Sequence, residues 1–138
     1  MKTLVVFVGL IFLFSCNNEK LRPISSSIFL HNNSSKVWLL DKELIGEKDY
    51  TPLRMQYKQI FVFHKSYKLY IYRLNTLGTQ KGTQFSYEIN DENKQLTISN
   101  DTAEYSYYLN LVSRNKIILT PHSDNIKRTL VLISFPEY

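Results

Sequence analysis

From Gln84 to Val112 the chain alternates apolar and polar residues with a period of two, broken at short intervals by turn residues. On an extended strand Phe85, Tyr87 and Ile89 point to one side and Gln84, Ser86 and Glu88 to the other. Asn90-Asp91-Glu92-Asn93 is a turn signal. Leu96 and Ile98 then alternate with Gln95, Thr97 and Ser99, and Asn100-Asp101 turns the chain again. Tyr105, Tyr107, Leu109 and Leu111 follow, alternating with Glu104, Ser106, Tyr108 and Asn110. Strands of this kind bury one face and wet the other, and connections of a few residues make successive strands antiparallel neighbours.

The flanking segments extend the pattern. Val37-Trp38-Leu39-Leu40 is β-prone and carries the one tryptophan. Asp41 to Asp49 is charged and accommodates the end of that strand, a turn and a loop. Gln56 to Phe63 reads as a strand, His64-Lys65-Ser66 as a tight turn, and Tyr67 to Leu74 as the next strand. Thr76 to Gly82 is a loop with two glycines. Arg114-Asn115 turns the chain, Lys116 to Thr120 is a strand ended by Pro121, and Ser123-Asp124-Asn125 forms the last loop. Lys127 to Phe135 is a final strand, apolar on both faces. No segment holds a helical period over a dozen residues. The expectation is an all-β fold, an antiparallel meander of about eight strands. Such a meander closes into a barrel because closure removes its exposed edges. A β-sandwich is the alternative.

The N-terminus has a different character. Lys2 precedes an apolar run from Leu4 to Phe14, interrupted by Gly9. The run has the length of a signal-peptide core and falls short of the roughly 20 residues of a spanning helix. Leu13-Phe14-Ser15-Cys16 resembles a lipobox, where a dedicated peptidase cuts before a cysteine that carries diacylglycerol and palmitate-type acyl chains. Cys16 is the single cysteine, so no disulfide forms within the chain. The expected organisation is a lipoprotein signal peptide over 1–15, a lipid-anchored flexible tether over 16–35 and a β-barrel domain over 36–138. Within the tether, Ile28-Phe29-Leu30 is either a segment packed on the domain or a first edge strand. Asn17 stands where an inner-membrane retention signal has aspartate, so the expected site is the outer membrane. Glu19 alone is acidic after the cysteine, which points to the periplasmic face rather than the cell surface.

Several of these segments together resemble the lipocalin-like lipoprotein domains of Bacteroidota. They are Val37 to Leu40, Tyr67 to Leu74, Gly82 to Asn90, Leu96 to Ile98 and Tyr105 to Leu109, a resemblance that covers roughly residues 35–135. It implies a barrel whose early tryptophan, Trp38, plugs a closed end. It also implies binding of a small apolar ligand or a protein partner.

Other chemistry finds little footing. Seventeen cations and twelve acids give a net charge of +5, but they interleave without a basic stripe, so nucleic acid is not an expected partner. His31, His64 and His122 lack metal-ligand spacing, and no nucleophile elbow, phosphate loop or zincin signature occurs. Glu88 and Glu104 fall on the expected solvent face. The expectation is therefore a protein that is not an enzyme and uses no cofactor or metal. Aromatic residues on strands ordinarily build a core, yet a barrel of this size can also hold one small molecule. Trp38, Phe85, Tyr87, Tyr105 and Tyr107 are the candidate lining, and Tyr70, Tyr72 and Tyr108 are candidates for an outer protein-binding face. Asp101-Thr102-Ala103 resembles the tripeptide that Bacteroidota O-glycosylate in exported proteins, which makes Thr102 a candidate modification site. A non-catalytic subunit of a larger envelope assembly, such as a secretion or motility machine, is the alternative function. An inhibitor of cationic lysozymes is disfavoured by like-charge repulsion.

Overall fold

Residues 24–123 and 127–135 are described by the structure, a computed structural model. The apolar leader, Cys16 and the first part of the tether lie outside the described residues, as does 124–126 of the last loop. A short helix, α1 (Ser26–His31), precedes nine strands: β1 (Ser35–Ile45), β2 (Lys48–Asp49), β3 (Gln59–His64), β4 (Lys68–Arg73), β5 (Thr83–Asn90), β6 (Gln95–Ser99), β7 (Glu104–Val112), β8 (Lys116–Pro121) and β9 (Arg128–Ser134).

All pairings are antiparallel and follow sequence order, except that β1 passes over the two-residue β2 to pair with β3. Gly46, at φ +60°, makes the tight reversal between β1 and β2 that a side chain would strain. β9 returns to β1 along a register running from Trp38↔Ser134 to Ile45↔Arg128. Eight strands thus close into an antiparallel barrel of lipocalin-like form, with β2 as a short addition beside the end of β1. Closure through the β1–β9 seam excludes the sandwich.

Two register shifts decide which residues face inward. One lies between Leu40 and Lys42 on β1, where Asp41 is the extra residue. The other lies between Leu109 and Leu111 on β7, where Asn110 is extra. A bulge flips the face of every residue beyond it. Leu111, expected inside from simple alternation, therefore stands outside opposite Ile118 and is exposed, while Val112 packs on the core opposite Ile117.

The end of the barrel nearest α1 is filled. Trp38, Phe63, Leu69, Tyr87, Leu96, Ile117, Leu119 and Leu132 are fully buried there. Each such side chain contributes about 1.5–3 kcal/mol of transfer free energy. Helix α1 closes this end. Six residues are too few to be helical unaided, so the helix depends on its contacts. Ser25 caps its first turn, Asn32 ends it in the left-handed conformation at φ 49°, and Leu30 is buried beneath it. The Trp38 Nε1–H donates to the Leu30 carbonyl at 2.9 Å. From the β5–β6 turn, the Asp91 carboxylate accepts from Ser25 Oγ at 2.6 Å and from the Ser26 amide at 2.9 Å. Burial alone would raise the Asp91 pKa, but these bonds outweigh it and hold the carboxyl below its ordinary range. Of the two readings of Ile28-Phe29-Leu30, the segment packed on the domain is the one seen, as part of helix Ser26–His31.

The barrel's outside is not uniform. On β5, β6 and β7 the outward residues are mostly polar, as the alternation predicts. On β9, β1, β3 and β4 they are apolar. Ile133, Leu39, Ile60 and Tyr72 form one cross-strand row, and Val37, Val62 and Tyr70 form the next. Leu39 and Ile60 are each only 3% exposed.

Candidate functional site: the barrel mouth

The end opposite α1 stays open. Here the inward residues of the strands do not meet, and a cavity of about 380 Å³ remains. Its wall is Phe61, Ile71, Phe85, Ile98, Tyr105, Tyr107 and Leu130, and its polar edge is Glu43, Gln59, Lys127 and Arg128. The volume lies within the ~300–1,000 Å³ typical of small-molecule sites. An eight-stranded barrel can be filled or hollow; this one is filled at one end and hollow at the other.

The polar edge owes its composition to the β1 bulge. Without the extra residue at Asp41, strict alternation would turn Lys42 inward. With it, Lys42 faces out opposite Val131, and Glu43 faces in opposite Leu130. Arg128, at the start of β9, also faces in, diagonal to Glu43. Its Nη1 donates to Glu43 Oε1 at 2.6 Å. The two partners are unequally placed, with the Glu43 side chain 16% exposed and that of Arg128 61%. The cation is therefore free to follow solvent or ligand while the carboxylate is held in the wall.

The tyrosines of β7 add hydroxyls to an otherwise apolar wall. Burial pushes the Tyr107 hydroxyl up to about 12, the neighbouring Tyr105 and Glu43 push the same way, and Arg128 pulls against them. The hydroxyl is therefore a neutral donor at physiological pH. Among the described residues no protein group bonds to it or to the Gln59 amide. Both are free to bond a guest. Phe85 and Tyr105 meet edge to face with centroids 6.3 Å apart.

Of the expected lining, Phe85, Tyr105 and Tyr107 are on the cavity wall. Trp38 and Tyr87 are not. Both sit further along their strands in the filled half, where their polar atoms are satisfied internally. Trp38 bonds α1, and the Tyr87 hydroxyl donates to the His64 carbonyl at 2.8 Å, with its ring edge-on to Phe63 at 5.1 Å. Sequence alternation missed Gln59, Phe61, Ile71, Ile98 and Leu130 because it gave no depth along the barrel. It missed Glu43 because a bulge is invisible to a period.

The remaining sequence candidates are dispersed. His31, the last residue of α1, is buried and accepts the Asn33 amide at Nδ1. His64 stands edge-on to Tyr70, and His122 lies against Tyr108 on the outer face. Among the described residues no three of His, Cys, Asp and Glu come together as a metal site. Glu88 and Glu104 are exposed on the outer face. Tyr70 and Tyr72 are outside and stacked, and Tyr108 is exposed. Thr102 is exposed in the β6–β7 turn, its hydroxyl donating to Asn100 Oδ1 at 3.0 Å. Cys16 lies outside the described residues.

Neither a family model, nor a curated protein, nor a solved structure matches this chain.

Proposed function

We propose that the protein is a lipid-anchored module of the bacterial outer membrane, facing the periplasm, that holds a small, largely apolar molecule in its barrel mouth. The observation that carries the reading is the half-empty interior. Seven apolar or aromatic side chains wall a cavity into which the unengaged Tyr107 hydroxyl and Gln59 amide can offer hydrogen bonds. Apolar walls supply affinity, and a few polar groups fix orientation. The reading is of a binder rather than a catalyst, because the one acid of the described cavity, Glu43, is already paired with Arg128. Anchoring rests on the sequence alone, on the Leu4 to Phe14 run ending at Ser15-Cys16. Thr102, exposed in the β6–β7 turn at the mouth end, stands where an exported protein could carry a sugar.

Native mass spectrometry of the mature protein from its own envelope tests the binding. A retained non-protein mass is expected, lost in Ile98→Trp, whose indole would occupy the cavity. If the wild type carries no such mass, and 1-anilinonaphthalene-8-sulfonate binds wild type and Ile98→Trp equally, the mouth is not a ligand site. The half-buried Val37, Val62, Tyr70 and Tyr72 on the outside of β1, β3 and β4 favour a second reading, an accessory subunit that packs this face on another envelope protein. Crosslinking from Val62→Cys in intact envelopes would then capture a partner; recovery of monomer alone would count against it.

A further inference from the structure

The closed end has a character of its own. Each of its three turns carries a cation: Lys65 between β3 and β4, Lys94 between β5 and β6, Arg114 between β7 and β8. Lys68 and Lys116 stand at or beside the closed-end starts of β4 and β8, and Lys36, at the start of β1, is engaged with the Arg114 carbonyl and the Trp38 ring. Among the described residues the acids near them are Glu88, Asp91 and Glu92, and Asp91 is committed to α1. Both ion pairs among the described residues, Lys58–Asp41 and Arg128–Glu43, lie in the mouth half. Apolar groups project from the same basic end. Ile24 is 65% exposed, Tyr67 54% and Ile28 37%. Beside α1 a groove of about 740 Å³ sets Ile24, Ile28 and Phe29 against Lys36 and Arg114. The Arg114 guanidinium is unpaired among the described residues.

From these features we infer that the closed end docks on an anionic phospholipid surface, leaving the mouth facing away from it. Cations clustered near a membrane each strengthen attraction to anionic lipid about fivefold. Isoleucine and tyrosine side chains beside them enter the headgroup layer. Reach points the same way, on the reading that Cys16 is the anchored residue. The chain from Cys16 to Ile24 spans at most about 29 Å. Ile24 sits at the closed end, beside α1. Strand β1, with eleven residues, is about 36 Å long and tilts in the barrel wall, so the barrel is roughly 25–30 Å tall. A mouth-down arrangement would consume the whole tether along the wall. Closed end down uses almost none of it.

The test uses the full mature protein on vesicles of phosphatidylcholine with and without 30% phosphatidylglycerol, with a fluorophore on Asn93→Cys (closed end) or Gln80→Cys (mouth) and a quencher in the headgroup layer. Quenching at Asn93→Cys is expected to exceed that at Gln80→Cys at least threefold on anionic vesicles. The contrast is expected to fall at least threefold on neutral vesicles or in 0.5 M salt, to what the short tether alone maintains. Lys65→Gln, Lys94→Gln and Arg114→Gln together should lower the docked-to-undocked ratio about 100-fold. Equal quenching at the two sites, or a contrast indifferent to anionic lipid and salt, overturns the proposal. Failure of the anchoring reading looks different. A free Cys16 thiol would take a second label, and the protein would leave neutral vesicles altogether while still binding anionic ones.

Discussion

Replacing Trp38 with phenylalanine isolates what holds the barrel's lower end shut. The indole N–H satisfies the carbonyl of Leu30, one of the final-turn oxygens that a helix cannot bond internally. Phenylalanine leaves that oxygen unpaired in a dry site, at about 1–3 kcal/mol. The smaller ring also leaves a void of roughly 40 Å³, which at ~24 cal/mol per Å³ adds about 1 kcal/mol. The total is about 2–4 kcal/mol, or a fall in Tm of roughly 8–16 °C for a domain of this size. Because α1 is too short to persist alone, the loss should also be local. Amides at the end of α1, Leu30 to Asn32, should exchange many times faster while β5 to β7 keep their protection. Thermal unfolding by circular dichroism and hydrogen exchange read the two effects. A Tm within 3 °C of wild type together with unchanged α1 protection would refute the argument.

Tyr107→Phe should leave the unfolding free energy within about 0.5 kcal/mol of wild type, since the hydroxyl has no internal partner, yet weaken ligand binding about 5–10-fold for one lost hydrogen bond, measured by titration of the native ligand. Asp91→Ala removes both carboxylate bonds to the start of α1 and should cost about 1.5–3 kcal/mol in denaturant unfolding; a neutral outcome would mean the helix is held by Leu30 and Trp38 alone. Burial and, after it, Lys65 lower the pKa of His31, so the unfolded state takes up its proton first as pH falls. His31 therefore favours folding fully above about pH 6.5, and that contribution declines as pH drops through the lowered folded value. A wild-type Tm that falls between pH 6.5 and 5 more steeply than that of His31→Gln is expected; parallel profiles would remove His31 as the cause.

How much of this was legible in the chain depended on which face each strand shows to water. β5, β6 and β7 could be read because Gln84, Ser86, Glu88 and Thr97 wet their outer face, so period two survives in the sequence. β1, β3, β4 and β9 carry Leu39, Ile60, Tyr72 and Ile133 outside, and with apolar residues on both faces the period disappears. They were found as strands by composition, but their inward set was not. Leu111 was placed inside because nothing in the sequence announces that Asn110 is an extra residue. Ile28-Phe29-Leu30 stood out as a packed segment or an edge strand, but not as a helix, because six residues cannot display a helical period. What orders them is bonds to Trp38 and Asp91, and Asp91 is 65 residues away from Ser26. At the mouth, aromatic alternation reached Phe85, Tyr105 and Tyr107, while the charged wall depended on the same invisible kind of bulge that turned Leu111 out.

The β1–β9 seam has a kinetic consequence. Trp38 and Ser134 meet across nearly the whole domain. Joining ends separated by about 100 residues costs about 4 kcal/mol of chain entropy before any contact repays it. Every other pairing in the barrel joins strands close in sequence, and all but β1–β3, which passes over β2, can form as a simple hairpin. Closure must therefore wait until β9 has been synthesised and released, and folding from that point is one late, slow event. Until then β1 and β8 present open edges, the state most prone to pairing with the wrong chain. Truncation before Arg128 should trap that state and drive aggregation instead of yielding a smaller barrel.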